Sequence, residues 1–351
     1  AMAGEDVPCA PRPGTGGERV LITGATGLLG RQVLAHFQER GWNVRGLGRS
    51  RAKGKIIKCD LLNPAELQAQ FEEFQPTIVI HCAAERRPDV LEEDMDYAMH
   101  INVDLTRQIG KACHEHGVWL IYISTNYVFD GKEAPYREDA QPNPLNTYGD
   151  SKLAGERALV SVHPGAAILR VPLLLGPIEY IGETSVTALL DAIQKEKPKL
   201  DNWQERFPTG TPDLARVLEA FCGVYMERGK VSASSCSGIF HWQANARHTK
   251  YTMACIIAEL VGIDPGGFVR VDDAPAAGSA PRPQFERMLC GRLEALLSEA
   301  GEGSPDSFRS DFQELLRHSL QPFLEKEKRS TIEVETKASA CSSSSLLCHS
   351  C

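Results

Sequence analysis

The chain has 351 residues, of which 42% are hydrophobic and 24% carry a charge, and these are the proportions of a folded globular protein. Its formal net charge of −8 provides no basic field, which argues against nucleic acid or an acidic membrane surface as its main partner. No apolar run approaches the roughly 20 residues that a helix needs to cross a bilayer, so we also expect no membrane partner.

From residue 19 onwards, short β-rich runs alternate with helical patterns, as in a parallel sheet with crossover helices. The predicted strands are Val20–Thr23, Asn43–Leu47, Lys55–Lys58, Thr77–Ala83, Trp119–Ser124 and Ala166–Val171. The predicted helices between them are Leu28–Arg40, Pro64–Phe74, Asp94–His116 and Tyr148–Val160. We therefore predict an α/β fold over residues 19–171, a Rossmann-type, doubly wound parallel sheet.

After Pro172 the alternation loosens into helices that are separated by loops rich in proline and glycine. These helices are predicted at Thr184–Lys195, Thr211–Arg228, Lys250–Val261 and Ser310–Leu324, and Asp264–Pro283 is predicted to be a loop. We expect a smaller C-terminal α/β domain of the substrate-binding type over residues 172–325, and an exchange of one strand back to the first sheet stays open. Residues 1–18 and 326–351 are predicted to be disordered.

The eleven cysteines are odd in number and scattered along the chain. They are therefore predicted to be reduced thiols, not a disulfide framework. Cys341, Cys348 and Cys351 cluster near the end of the chain, where a disordered segment with thiols is the preferred interpretation and a metal site is the alternative. No His, Cys and Asp group has the spacing of a structural zinc site, so we predict no metal.

A glycine-rich turn follows the first predicted strand and opens the first predicted helix. Its residues are Gly24, Ala25, Thr26, Gly27, Leu28, Leu29 and Gly30. Glycines at these places permit a tight turn, close approach to a pyrophosphate and close packing of helix on strand. The helix N-terminus offers free N–H groups to phosphates. The turn predicts a dinucleotide site, and a turn without a ligand is the alternative.

The end of the second strand indicates which dinucleotide is bound. Domains that prefer NAD carry Asp or Glu about 20 residues after the glycines, whereas this chain has Gly48, Arg49, Ser50 and Arg51. Two guanidinium groups and a hydroxyl suit the 2′-phosphate of NADP. We therefore predict NADP, with a solvated basic loop as the alternative, and expect Asp60 to lie beside the adenine.

Tyr148 and Lys152 lie four residues apart on a predicted helix and so share one face. An ammonium group near a phenol lowers the phenol's pKa from about 10 toward neutrality and makes it a usable acid or base. Ser124 and Thr125 lie at the end of a neighbouring strand, and Thr125 is the better placed to polarise a carbonyl. The predicted catalytic residues are therefore Thr125, Tyr148 and Lys152, although this spacing also arises by chance.

The segments Tyr122–Gly131 and Pro144–Glu156 resemble extended short-chain dehydrogenases of the dTDP-4-dehydrorhamnose reductase branch. Four further segments resemble the family of regulatory β subunits of methionine adenosyltransferase, and these are Cys82–Val90, Trp203–Thr209, Phe240–Trp242 and Thr249–Cys255. The resemblance runs from about Arg19 to Pro283. It implies cofactor contacts from Thr26, Gly27, Leu28, Leu29, Arg49, Ser50, Arg51, Asp60, Leu61, Cys82, Ala83, Ala84, Arg86, Tyr148, Lys152 and Leu174.

This second resemblance implies a non-catalytic subunit that binds NADP and associates with the catalytic methionine adenosyltransferase subunit. The implied role is to modulate the synthesis of S-adenosylmethionine from methionine and ATP, in the cytoplasm, with the nucleus as a second compartment left open. The alternative is an NADPH-dependent reductase of a nucleotide-sugar ketone. The chain departs from the family at Asn126, after the predicted strand Trp119–Ser124, where the family motif usually has Asp. This difference removes a charge beside the expected sugar pocket.

Overall fold

Eleven strands and eleven helices make up the structure, a computed structural model that describes residues 17–86, 88–228, 233–275 and 280–325. The strands are Arg19–Thr23 (β1), Asn43–Gly48 (β2), Ile56–Lys58 (β3), Ile78–His81 (β4), Trp119–Thr125 (β5), Ala167–Val171 (β6), Leu174–Leu175 (β7), Lys199–Asp201 (β8), Thr209–Gly210 (β9), Gly238–His241 (β10) and Val269–Val271 (β11). The helices are Leu28–Glu39 (α1), Pro64–Phe74 (α2), Pro88–Glu93 (α3), Met95–Met99 (α4), Leu105–Glu115 (α5), Thr147–Val162 (α6), Leu189–Ala192 (α7), Thr211–Arg228 (α8), Lys250–Val261 (α9), Gly291–Glu299 (α10) and 312–325 (α11).

The central sheet has seven strands in the order β10-β6-β5-β4-β1-β2-β3, and every neighbouring pair is parallel. The chain runs outward from β1 to β3 and then returns to β4 on the other side of β1. This reversal of strand order leaves a crevice at the carboxyl ends of β1 and β4, the place where open α/β sheets bind ligands. The predicted Rossmann-type sheet is confirmed.

Apolar side chains cover both faces of the sheet. On one face, Phe37 of α1 and Phe221 of α8 belong to a buried cluster with the strand residues Val20 and Ile22. On the other face, helices α2, α5 and α6 contribute the buried residues Leu67, Phe71, Ile109 and Leu159. Because both faces are covered, the central strands are almost continuously apolar.

The segment after β6 forms a third apolar cluster and two short parallel ladders, β7 with β9 and β8 with β11. Helices α7, α9 and α11 pack here through Leu190, Ile257 and Leu316. Strand β10 leaves this segment and pairs with β6 at the edge of the central sheet. The domain boundary near residue 171 stays a prediction.

Three predicted elements of the sequence were wrong. The helix expected at Thr184–Lys195 is reduced to α7, because Thr187 forms local hydrogen bonds in place of helical ones. Its hydroxyl donates to the Ile181 carbonyl at 2.6 Å, and its N–H donates to the Thr184 hydroxyl at 3.0 Å. Such local bonds compete with a helix. The loop expected at Asp264–Pro283 contains β11, which pairs with β8. Helix α10 lies between Pro283 and Ser310, where we predicted no element.

The helix predicted at Asp94–His116 is interrupted by a π-helical turn at His100–Asp104, between α4 and α5. Within this turn the side chain of Asn102 is buried and donates to the Ser151 hydroxyl at 3.0 Å. The same amide donates to the Glu85 carbonyl at 3.1 Å and accepts the Glu85 N–H at 3.2 Å. The π turn therefore ties the loop after β4 to helix α6.

The predicted disordered tail and its three cysteines lie outside the described residues, as do residues 1–16 of the predicted N-terminal segment. Across the described ranges, no helix is both long enough and apolar enough to cross a membrane. Within the same ranges, no group of three or more His, Cys, Asp and Glu side chains is placed to hold a metal ion.

Candidate functional site

The glycine-rich turn lies at the carboxyl end of β1 and is so tight that a side chain would not fit at Gly24 or Gly30. Gly24 has a φ of +67°, and a Cβ there would lie 2.6 Å from the backbone N of Ala83. A Cβ on Gly30 would lie 2.3 Å from the Gly24 carbonyl oxygen. The turn therefore presses against the loop after β4 on one side and against α1 on the other, which only glycine permits.

Helix α1 begins with its N-terminal N–H groups directed at the crevice. Gly27 is its N-cap and provides no side chain that could accept from them, and the first turn contains no acidic residue. These unsatisfied donors and the positive end of the helix dipole form an anion-binding arrangement. A phosphate group is the ligand that such an arrangement favours.

The crevice is a cavity of about 470 Å³ between the sheet and the C-terminal segment. Its lining residues come from α1, the loop after β4, the end of β5, α6 and the segment after β6. The lining residues that the sequence predicted are Gly27, Leu28, Leu29, Gly30, Cys82, Ala84, Arg86, Thr125, Tyr148, Lys152 and Leu174. The structure thus brings the three predicted catalytic residues to the same cavity as the helix N-terminus.

Tyr148 forms a hydrogen bond with the Thr125 side chain across the end of β5. Burial raises the pKa of the Tyr148 hydroxyl, while the bond to Thr125 and the charge of Arg86 lower it only in part, so the pKa stays above its ordinary value. The sequence predicted the opposite direction. That prediction was wrong for this arrangement, because the ammonium group of Lys152 is directed elsewhere.

The Nζ of Lys152 donates to the backbone carbonyl of Ile123 at 2.8 Å and lies 4.0 Å from the centre of the Tyr122 ring. The side chain is fully enclosed, with 2% of the residue exposed. Burial lowers the pKa of Lys152 to about 7, although Glu156 and Cys82 act in the raising direction. A cation at this position is therefore only partly charged near neutral pH.

Two buried polar side chains, Glu156 and His81, lie close enough to Lys152 to interact with its charge. The Glu156 carboxylate accepts from Arg170 Nε at 2.9 Å and Nη2 at 2.6 Å, and from the Ser124 hydroxyl at 2.5 Å. His81 contacts Thr23 Oγ1 at 2.7 Å, and burial lowers its pKa to about 3. His81 is thus a buried, hydrogen-bonded side chain.

The far wall of the cavity holds a buried carboxyl group that the sequence did not indicate. Glu286 accepts from Asn126 Nδ2 at 2.8 Å and from Gln204 Nε2, and Gln204 in turn accepts from Arg206. Burial raises the pKa of Glu286 to about 7 against the lowering effect of Arg206 and both amides. Although Asn126 lacks the charge that the family pattern places there, a carboxyl group is present in the pocket from another segment.

Residues 177–183 follow β7 and border the cavity at Gly182. Glu183 pairs with Arg31 of α1 through both oxygens, at 2.8 and 2.9 Å, and its side chain is 4% exposed. Burial alone would raise the pKa of Glu183, but the hydrogen bonds from Arg31 and from the Glu179 N–H keep it below the usual range. Arg86 donates to the Glu183 carbonyl.

Arg51 lies beside this segment and not in the cavity wall. Its guanidinium group pairs with the Glu179 carboxylate and donates to the Thr26 carbonyl at 2.7 Å. Arg49 and Ser50 are exposed next to it, and Asp60 is exposed with its carboxylate turned to its own loop, where it accepts the Leu62 N–H at 3.2 Å. The other predicted residues outside the lining are Gly24, Thr26, Leu61 and Ala83.

The site residues that the sequence analysis missed are Arg31, Glu179, Glu183, Arg206 and Glu286. Glu179, Glu183 and Glu286 reach the site through contacts between distant parts of the chain, and no local motif surrounds them. Two signals were available for the others: Arg31 follows Gly30 directly, on the first turns of the helix that opens the site, and Arg206 lies within the segment Trp203–Thr209.

Residues 18–320 match the family described as RmlD substrate binding domain. Two proteins named methionine adenosyltransferase 2 subunit beta are similar to this chain: the one from Xenopus tropicalis is 42% identical over 319 residues, and the one from Danio rerio is 44% identical over 307 residues. These matches cover 90% and 87% of this chain and 91% of each relative. A dTDP-4-dehydrorhamnose reductase from Streptomyces griseus is 31% identical over 290 residues, which is 81% of this chain and 88% of that protein.

Two solved structures share the fold. The dTDP-4-dehydrorhamnose reductase of Bacillus anthracis, in complex with NADP, matches with a TM-score of 0.65 and 25% identity, covering 80% of this chain and 99% of that one. The Bordetella bronchiseptica enzyme WbmG, in complex with NAD, matches with a TM-score of 0.69 and 21% identity, covering 88% and 95%. The second likeness shows the fold alone.

Proposed function

Because this chain belongs to the RmlD substrate binding domain family, and within it to the proteins named methionine adenosyltransferase 2 subunit beta, we propose that it is a non-catalytic regulatory subunit. In this proposal it binds NADP(H), associates with the catalytic methionine adenosyltransferase subunit and modulates the synthesis of S-adenosylmethionine. A cytoplasmic location, with the nucleus as a second compartment, belongs to the same proposal.

One observation carries this function: the identity to the β subunits is 42–44% over about nine-tenths of the chain, against 31% to the reductase. The matched region includes the C-terminal segment, which in this structure does not consist of cofactor-binding motifs. If the two groups of proteins shared only a cofactor site, we would expect the similarity to be confined to its motifs and not to extend over nine-tenths of the chain.

The residues of the cavity fit a nicotinamide dinucleotide. The free N–H groups at the start of α1 suit a pyrophosphate, and the absence of a Cβ at Gly24 and Gly30 leaves the room for its approach. The guanidinium group of Arg51 suits a 2′-phosphate, while Tyr148 and Lys152 suit the hydroxyls of the nicotinamide ribose. These are the residues that would hold the cofactor.

The electrostatics around Tyr148 favour the regulatory function over turnover. A Tyr148 hydroxyl whose pKa is raised releases its proton less readily, and Lys152 is bonded to the Ile123 carbonyl in place of the phenol. Both side chains can contribute to a cofactor site in this state, but Tyr148 is not arranged as an efficient acid.

A second function, an NADPH-dependent reductase of a nucleotide-sugar ketone, is favoured by the Thr125–Tyr148 hydrogen bond. In that reaction the reduced nicotinamide supplies the hydride. Tyr148 would donate the proton, Thr125 would bind the carbonyl oxygen and Lys152 would stabilise the phenolate.

Co-purification with the catalytic subunit tests the proposed function. The tagged chain should retain the catalytic subunit and change the rate of S-adenosylmethionine formation. A bacterial dTDP-4-dehydrorhamnose reductase, which shares the fold, is the matched control and should do neither. Failure of the chain to retain the catalytic subunit, under conditions in which a vertebrate β subunit retains it, would contradict the proposal.

Oxidation of NADPH in the presence of dTDP-4-dehydro-6-deoxy-L-mannose tests the second function. Our proposal expects no turnover above that of a Tyr148→Phe variant, which keeps the ring and lacks the hydroxyl. Turnover that is lost in this variant would show a working reductase site.

A further inference from the structure

The Arg51–Glu179 pair combines the two groups that distinguish NADP from NAD. In dinucleotide-binding domains an arginine accommodates the 2′-phosphate of NADP, whereas a carboxylate accepts a hydrogen bond from the 2′-hydroxyl of NAD. The sequence has no carboxylate at the end of β2. The structure brings one there from a distant segment, as Glu179 pairs with the guanidinium group of Arg51.

The position of Glu179 is fixed by a buried anchor on the same segment. The Glu179 N–H donates to Glu183 Oε2 at 2.7 Å. The Glu183 carboxylate in turn accepts from Nη1 and Nη2 of Arg31. Arg31 Nη1 also lies 3.4 Å from Glu179 Oε2. The carboxylate of Glu179 is thus placed between two arginines that border the glycine-rich turn.

The Arg51–Glu179 pair is exposed, whereas Glu183, which anchors it, is buried. The side chains of Arg51 and Glu179 are 49% and 46% exposed, against 4% for Glu183. An exposed ion pair is weak, of the order of 1 kcal/mol or less, so a phosphate group can replace the carboxylate on Arg51. Glu183 keeps its position when a phosphate displaces Glu179, because Glu183 is buried and paired with Arg31.

Resting on the dinucleotide binding proposed above, we propose that Glu179 is a specificity-determining residue that sets the balance between NADP(H) and NAD(H). The Glu179 carboxylate occupies the guanidinium group that a 2′-phosphate needs, and its charge repels the phosphate. With NAD(H) no such competition arises, and the same carboxylate can accept the 2′-hydroxyl. Glu179 therefore weakens the preference for NADP that Arg49 and Arg51 provide.

The test is the dissociation constants of NADPH and NADH for the wild type and for Glu179→Gln, measured by calorimetry or by the fluorescence of the bound nicotinamide. Glu179→Gln should tighten NADPH binding about three- to tenfold, as expected when one half-exposed charge contact is relieved. NADH binding should stay unchanged or weaken. The NADPH-to-NADH preference should therefore rise, and the rise should shrink at high ionic strength.

Glu73→Gln is the matched control, because the exposed Glu73 carboxylate pairs with Arg45 of β2 at 2.9 Å and its loss changes the net charge equally. It should leave the preference unchanged. In an Arg51→Met background the effect of Glu179→Gln on NADPH binding should be smaller, because the competition for Arg51 is lost and only the repulsion between Glu179 and the phosphate remains. An unchanged preference in Glu179→Gln, with normal binding to the wild type, overturns this inference alone. Binding of neither dinucleotide to the wild type overturns the proposed cofactor function and this inference with it.

Discussion

Lys152 is joined to Ile123 by a 2.8 Å hydrogen bond from its Nζ to the backbone carbonyl. This bond connects helix α6 to the end of β5 at the floor of the cavity. It also places a cationic group where almost no water reaches it, which is why the pKa of the lysine falls to about 7.

The buried lysine should give the protein a pH-dependent stability. Between pH 7 and about 10 the unfolded chain holds a proton on Lys152 that the folded chain does not, so this group makes the free energy of unfolding rise with pH. Urea denaturation of the wild type and Lys152→Met should show the wild type gaining stability relative to the variant from pH 7 to pH 9. Lys195→Met, at an exposed lysine, is the control. A difference that does not change with pH would contradict the prediction.

Glu286 should act in the opposite sense. Its pKa is raised to about 7, so between pH 4.5 and 7 the folded chain holds a proton that the unfolded chain lacks, and the free energy of unfolding falls as pH rises. Relative to Glu286→Gln, the wild type should lose on the order of 1–3 kcal/mol from pH 5 to pH 7.5. Glu259→Gln, at an exposed glutamate, should show no such trend. Parallel pH profiles for wild type and Glu286→Gln would refute this.

Removing one member of the buried Glu156–Arg170 pair should be costly, because both side chains are almost fully enclosed, at 4% and 1% exposure. Glu156→Gln leaves the Arg170 charge uncompensated, and we expect a loss of about 3–5 kcal/mol in urea denaturation. Asp139→Asn removes the carboxylate of an exposed pair with Arg137 and should change stability little. Equal effects of the two substitutions would show that burial does not decide the energy of the pair.

Gly24→Ala should disrupt the turn more than its backbone angle alone explains. Gly24 and Gly41 both have positive φ, at +67° and +80°, but a Cβ at Gly41 would meet nothing within 4 Å. Gly41→Ala should therefore cost about 1 kcal/mol, and Gly24→Ala at least ~2 kcal/mol more, because of the contact with Ala83. Only Gly24→Ala should also weaken NADPH binding. The prediction fails if the two variants are equally stable and bind NADPH equally.

Local patterns in the sequence predicted the part of the site that local structure forms. Gly27 and Gly30 belong to one local motif, Tyr148 and Lys152 lie four residues apart on one helix, and all four line the cavity. The pKa of Tyr148 was predicted in the wrong direction because it depends on where Lys152 points, and that is decided by the carbonyl of Ile123 on another element. Glu179 and Glu286 reach the site through contacts between distant segments, which no spacing rule describes.

The fold shows the same division. The alternation of strands and helices up to residue 171 was sufficient to predict the parallel sheet, because each element there follows its own periodicity. The π turn around Asn102 and the pairing of β11 with β8 arise from tertiary contacts. Proline and glycine content alone made the β11 region look like a loop.

The return of β10 to the edge of β6 has a consequence for how this protein can be cut. A fragment that stops at Val171 would keep every residue predicted to contact the dinucleotide except Leu174, yet it would leave the backbone of β6 unpaired along one side. An open, apolar strand edge invites pairing with other chains. Such a fragment should therefore aggregate when expressed alone, and the N-terminal half of this protein should not behave as a detachable module.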